Sequence, residues 1–354
     1  MAYTTVDNPE LFFQTKLFTG TGSGTQAVTL DGSENMQPDF VWTKDREADS
    51  SHDLYDSVRG VGKRIRSDSN GGQATNSDML SAFNTNGFTV GTGQNASVNA
   101  STHTYVGWCW KCNGGTTSTN SSGTATSSVQ VNTKAGFSIC LTDNYTAATG
   151  VTIGHGLGAK PAFYIHKPTG DNSSGGASQA FNWHVYHHSL GATKALFLNL
   201  VNRDATAIGY WNNTEPTSTV LSLGNTIAGN GQSLVYAWSE IDGYSRFGFY
   251  EGNGNADGPF VYTGFRPRLL FIKNSEQDAN WAVYDSARQT FNPNENYIRW
   301  NSNVAEGGTS TTFDVDFLSN GFKVRSTETD LNTNAKTFVF GAWGDVPFKY
   351  SNTF

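Results

Sequence analysis

The sequence predicts an all-β protein built as three related β-sandwich-like units of about 110 residues each, laid in tandem. Three observations carry that expectation. One eight-residue string recurs with its proline in place: QPDFVWTK at Gln37–Lys44, KPAFYIHK at Lys160–Lys167 and RPRLLFIK at Arg266–Lys273. Apolar and polar residues alternate with period two in TYVGWCW (Thr104–Trp110) and TFDVDF (Thr312–Phe317), the pattern of half-buried strands. The chain holds 39 Gly and is 13% aromatic but only 15% charged, a composition of short strands and tight turns, without the Ala, Leu, Glu and Lys runs that long helices need.

The elements follow in order. Residues 1–15 read as an N-terminal arm, 16–112 as the first unit, 113–133 as a linker, 134–245 as the second unit and 246–354 as the third. Each recurring string opens a strand through Pro38, Pro161 or Pro267, where a missing N–H costs least. The next block is HDLYDSVRG (His52–Gly60), WHVYHHSLG (Trp183–Gly191) and WAVYDSARQ (Trp281–Gln289). AFNTNGFTV (Ala82–Val90) then matches DFLSNGFKV (Asp316–Val324), and Asn86-Gly87 and Asn320-Gly321 suit two-residue hairpins; the middle copy is reduced to LGNTIAGNG. The units close on TYVGWCWK, SLVYAWSE and TFVFGAWG, with Trp110, Trp238 and Trp343 in register. Low-complexity NGGTTSTNSSGTATSS (Asn113–Ser128) predicts a flexible link between the first two units, whereas a strand-like join predicts firmer packing of the second against the third. A closed arrangement of the three is the alternative to a tandem row.

A net charge of −7 and a pI near 5.5 argue against a nucleic-acid partner, which demands a concentrated basic surface. The one basic cluster, Arg59, Lys63, Arg64 and Arg66, reads as a hairpin with solvated charges. Cys109, Cys112 and Cys140 are too few for a disulfide framework. Cys109 and Cys112 fall on opposite faces of an extended strand, so neither a metal nor a redox pair is expected, and no cofactor is implied. The N-terminal MAYTTVDNPELFFQ lacks the form of a signal peptide, and no apolar run is long enough for membrane insertion.

No constellation of catalytic residues stands out. His184 and His188 lie about 13 Å apart along one strand face, too far to chelate together. Asp314 and Asp316 share a face without a partner across a cleft. GNGNADG (Gly252–Gly258) has too few acids for a calcium loop and reads as a turn. Two tryptophans border Asn-rich turns, Trp211 in GYWNNTEPTS and Trp300 in YIRWNSN. Exposed indoles there would offer stacking platforms for a sugar ring; buried, they would be plugs at unit or subunit seams.

QPDFVWTKDREADSSHDLYDSVRGVGKRIRSD, GHGLGAKPAFYIHKP with WHVYHHSLGATKALFLNL, DGPFVYTGFRPRLLFIKN and the closing FVFGAWGDVPFKYSNT resemble a family of virion proteins of tailed bacteriophages, common in marine phages and cyanophages, over essentially the whole chain. The resemblance implies a structural, tail-fibre-like or lectin-like component, assembled in the host cytoplasm and released by lysis. Its partners would be other virion proteins and host surface polysaccharide, and tail appendages of this kind are often homotrimers. The alternatives are a capsid decoration or adaptor without receptor binding, and, third, a polysaccharide depolymerase. The family supplies no catalytic residue.

Overall fold

A computed structural model describes residues 5–91, 97–142, 150–170, 181–206, 208–227, 232–308 and 312–344. The fold is all-β, and its frame is three sheets, one from each segment of the chain. The N-terminal sheet runs Phe13–Thr19, Thr104–Trp110, Phe40–Asp45, Asp53–Asp56 in spatial order. The middle sheet has the same core order, Phe137–Thr142, Ser233–Trp238, Phe163–Pro168, His184–His187. The C-terminal sheet repeats it with Ser245–Glu251, Thr337–Gly344, Pro267–Asn274, Trp281–Asp285. All neighbouring strands are antiparallel.

The register agrees to the residue. Trp110 stands opposite Phe13 and Phe40, Trp238 opposite Phe137 and Phe163, and Trp343 opposite Ser245 and Leu269. Outside each of these inner sheets lies a smaller outer one. In the N-terminal segment it is Gln26–Thr29, Gly87–Val90, Leu80–Asn84; in the C-terminal segment, Phe260–Tyr262, Gly321–Arg325, Asp314–Leu318. Among the described residues the middle segment has Val151–Gly154 with Val220–Leu223, plus the short helix Ile208–Trp211, in place of a three-stranded outer sheet. In both complete hairpins the Asn is the second loop residue and the Gly opens the return strand. A Cβ there would lie 2.0 Å from the Val28 carbonyl oxygen at Gly87 and 2.1 Å from that of Val261 at Gly321, so glycine lets a third strand approach.

Packing departs from three beads in a row. Each segment has an apolar cluster between its own inner and outer sheets. The largest cluster, however, is shared: the other faces of all three inner sheets meet in it, from Phe40 and Trp42 through Phe163 and Trp238 to Phe271 and Trp343. At its centre Trp110, Trp238 and Trp343 form a triangle, with ring centroids 5.4, 5.7 and 5.9 Å apart and planes inclined by 64° to 72°. Such edge-to-face contacts are favoured by the aromatic quadrupole. The arrangement is closed, and the expectation that the middle and C-terminal segments pack together more firmly gives way to a core that all three share.

Two boundaries move as well. The described part of the predicted arm 1–15, residues 5–15, belongs to the fold, because Val6 and Phe13 are buried in the shared cluster and the first strand starts at Phe13. The linker 113–133 is likewise structured: Ser118–Asn120 and Ser127–Asn132 add two strands to the middle sheet beside Phe137–Thr142. Val129 there is buried against Cys140 and Ile153, which explains why a Ser- and Thr-rich run is held. The closing signature after Gly344 lies outside the described residues, as does the end of LGNTIAGNG.

Candidate functional site

The structure moves the two candidate tryptophans inside. Trp211 is fully buried in the outer core of the middle segment, its indole N–H donating to the Lys194 carbonyl at 2.9 Å and its ring edge-on to Tyr164 at 5.0 Å. Trp300 stacks on Trp42 at 4.4 Å and 24°, plugging the seam between the C-terminal and N-terminal segments. Neither offers a face to a sugar, so the platform reading fails for both; Trp300 is a plug at a seam, whereas Trp211 fills the core within the middle segment. An Asn-rich turn marks where the chain reverses, not which side the preceding ring takes.

The polar side chains of the recurring blocks are used at the seams, in three matching sets. Lys44, Lys167 and Lys273, the last residues of the recurring octapeptides, are all fully buried. Each binds carbonyls of its own loop and one of a neighbouring segment. Lys44 donates to Asp45 and Ala48 and across to Asn303 at 3.2 Å; Lys167 to Phe181 and across to Asn70 at 2.9 Å; Lys273 to Ala279 and across to Val201 at 2.7 Å. Burial pushes these amines down, to about 8 for Lys44 and about 7 for Lys167 and Lys273.

A second set lies four residues before each of those distant carbonyls. The Trp183 indole donates to the Arg66 carbonyl at 2.7 Å, the Trp281 indole to Phe197 at 2.8 Å, and His52, at the matching place, binds Arg299 through Nε2 at 3.0 Å. His52 Nδ1 accepts from the Trp42 indole, so Nε2 carries the proton, and burial holds the ring neutral with its pKa well below 6.5.

The third set runs round the axis in the opposite sense. Asp56, paired with Arg59 at 2.5 Å, accepts from the Tyr236 hydroxyl of the middle segment; Asp285, paired with Arg288 at 2.5 Å, accepts from the Trp108 indole of the N-terminal segment. For Asp285 burial works to raise the carboxyl pKa, but Arg288 overcomes it and holds the group below its usual range. In the middle segment His187 replaces the acid and binds the Phe340 carbonyl at 3.1 Å. The adjacent Gly341 occupies the register position of Trp108 and Tyr236, and a Cβ on it would lie 2.3 Å from Phe271. With no side chain there, the backbone carbonyl is the acceptor within reach.

Seams, cores and local turns take up the other candidate side chains. Arg59 of the basic cluster is buried in its ion pair rather than solvated, and Arg64 and Arg66 face the buried Asp53 at 3.5 and 3.1 Å. His188 binds the Phe247 carbonyl at 2.8 Å, again across a seam. Cys109 lies in the outer core, and Cys112, two residues past the end of that strand, lies in the shared core. GNGNADG is a run of Asx turns stapled by Asn332, whose side-chain amide donates to Asn253 and Asn255.

Among the described residues Phe249, Phe291 and Ile208 are exposed, but Phe260 and Tyr262 lie together on one strand. On the outward side of the C-terminal outer sheet, Phe260 and Tyr262 are 47% and 67% exposed, on either side of the buried Val261. Their cross-strand neighbours are Lys323 and Gly321, and Asp316 and Leu318 continue those rows. Lys323 pairs with Asp257 at 2.6 Å and Arg325 with Asp316 at 3.1 Å. Asp314 shares the outward face with Asp316, and partial burial with the nearby Glu295 and Asp316 charges raises its pKa. The matching register positions of the N-terminal outer sheet hold Ala27 and Thr29, opposite Thr89 and Gly87. The signal lies in the sequence, where Phe260 and Tyr262 stand in place of Ala27 and Thr29 of the aligned copy, but likeness between copies defines the repeat and this is a difference.

A family model described as Domain of unknown function (DUF7483) matches residues 8–347. No curated protein and no solved structure matches the chain.

Proposed function

We propose a function for this chain, which belongs to the family described as Domain of unknown function (DUF7483): it is a structural protein of a tailed-phage virion, a tail appendage whose outer surface binds host glycans. One observation carries this reading. The recurring ionisable groups knit the segments to one another, while the exposed Phe260 and Tyr262 have no counterpart that the fold requires. A catalyst concentrates perturbed groups around a substrate cavity. Here Lys44, Lys167, Lys273, His52 and His187 are perturbed by burial and already engaged with backbone carbonyls, which is what a rigid building block requires. The resemblance of the recurring blocks to phage virion proteins supports the same reading. A single chain closed around one axis also presents three outward faces, as a homotrimeric appendage would.

Immunogold labelling of purified particles with an antibody to the chain tests the assignment. Label at the tail supports it. Label spread over the capsid shell gives the decoration alternative, and release of reducing ends from host polysaccharide by the purified chain makes it a depolymerase instead.

A further inference from the structure

We infer that the outward face of the C-terminal outer sheet is a binding site for a neutral pyranose glycan, with Phe260 and Tyr262 as its stacking platform; this rests on the glycan-binding reading above and assigns it a place. Two residues apart on one strand, Phe260 and Tyr262 start from Cβ atoms about 7 Å from each other on the same side of the sheet. Their π faces are electron-rich and suit the polarised C–H face of a sugar ring. Gly321 lies between Tyr262 and Leu318 in the row, and a Cβ on it would lie 3.1 Å from the Phe260 ring, so the glycine gives that ring room to lean across the row.

Charge selects the class of glycan. The Asp257–Lys323 and Asp316–Arg325 pairs set carboxylate acceptors beside cationic donors at the rim, and Asp314 adds a further acid on the same face. Sugar hydroxyls, which both donate and accept, match that rim; a uronic acid or sulfated sugar would meet no free cation among these four groups. Area argues against a protein partner. Two rings of about 200 Å² each, exposed by 47% and 67%, offer roughly 230 Å², against about 800 Å² per partner in a stable protein interface. A patch of that size is covered by one or two sugar rings.

The test uses the full chain on an array of neutral and anionic bacterial oligosaccharides, followed by titration calorimetry with the best neutral ligand. The double variant Phe260→Ala with Tyr262→Thr installs the residues that the N-terminal outer sheet already carries, so its unfolding midpoint should stay put while affinity falls at least tenfold. Tyr262→Phe, which keeps the ring, should stay within about threefold, and added sodium chloride should leave wild-type affinity unchanged. The inference is overturned if the double variant binds as wild type does, or if only anionic glycans bind, with a steep salt dependence. It is also overturned if no neutral glycan binds while the chain labels the phage tail, an outcome that leaves the virion assignment standing.

Discussion

Replacing Trp238 by Ala removes one corner of the axial triangle and asks whether the chain folds as one body or as three. The Trp238 ring packs 5.9 Å from Trp110 and 5.7 Å from Trp343, and also meets Phe137, Phe163 and Phe40, so rings from all three segments lose a neighbour. Its indole N–H has no hydrogen-bond partner among the described residues, so the loss is one of packing and burial alone. Large-to-small changes of this kind at a fully buried site cost about 3–5 kcal/mol. Edge-to-face partners add about 0.5–1.5 kcal/mol each beyond area, which places this site toward the upper end.

Urea unfolding followed by both tryptophan fluorescence and far-ultraviolet circular dichroism reads the result. A shared core requires one transition, coincident by both probes, moved to lower urea with its slope preserved. A cycle combining Trp238→Ala with Trp110→Ala should show coupling of about 0.5 kcal/mol or more, because the rings touch across a seam. Separate transitions, of which only the one belonging to the middle segment shifts, would refute the closed arrangement.

Acid should weaken the fold through its histidines. Burial lowers His155 to about 4 and His184 and His187 to about 3 in the folded chain, against 6.5 when exposed, so their contribution is whole above about pH 6.5 and is lost as pH falls toward those values; a melting temperature that stays level from pH 7 to 4 would contradict this. Lys167→Met leaves the Asn70 and Phe181 carbonyls without their donor and should cost at least about 1 kcal/mol in thermal unfolding, whereas an unchanged midpoint would show that the seam does not need it. Cys109, Cys112 and Cys140 are buried with thiol pKa values raised by desolvation, so a thiol reagent at pH 8 should modify none in the native chain and all three in urea.

Much of the fold was legible because it is written more than once. The strands entered through Pro38, Pro161 and Pro267 and the aligned Trp110, Trp238 and Trp343 lie where the blocks imply. What the sequence concealed was partnership. In Phe40–Asp45 and Phe163–Pro168 every residue is buried, on both faces of the strand, and period two cannot say what covers the second face. Val129 and Val131, alternating within SSVQVN, were the sign that the supposed linker is a strand, outvoted by its Ser, Thr and Gly neighbours. Trp211 and Trp300 misled because indole packing is decided by distant chain, Tyr164 in one case and Trp42 in the other.

Burial on both faces also explains the lysines. A sheet sandwiched on each side must be entered and left by loops whose carbonyls point into the seam, where neither water nor another strand can meet them. An ammonium group has three donors and reaches along a flexible stem, so a single residue at the strand end can satisfy its own loop and the neighbour's together. Lys44, Lys167 and Lys273 do this at three seams, and each distant carbonyl lies four residues beyond the one met by His52, Trp183 or Trp281. Any one segment alone would expose an aromatic face and orphan both sets of carbonyls. Closing the ring removes both costs at once, and it leaves the outer sheets, among them the Phe260–Tyr262 face, free to vary.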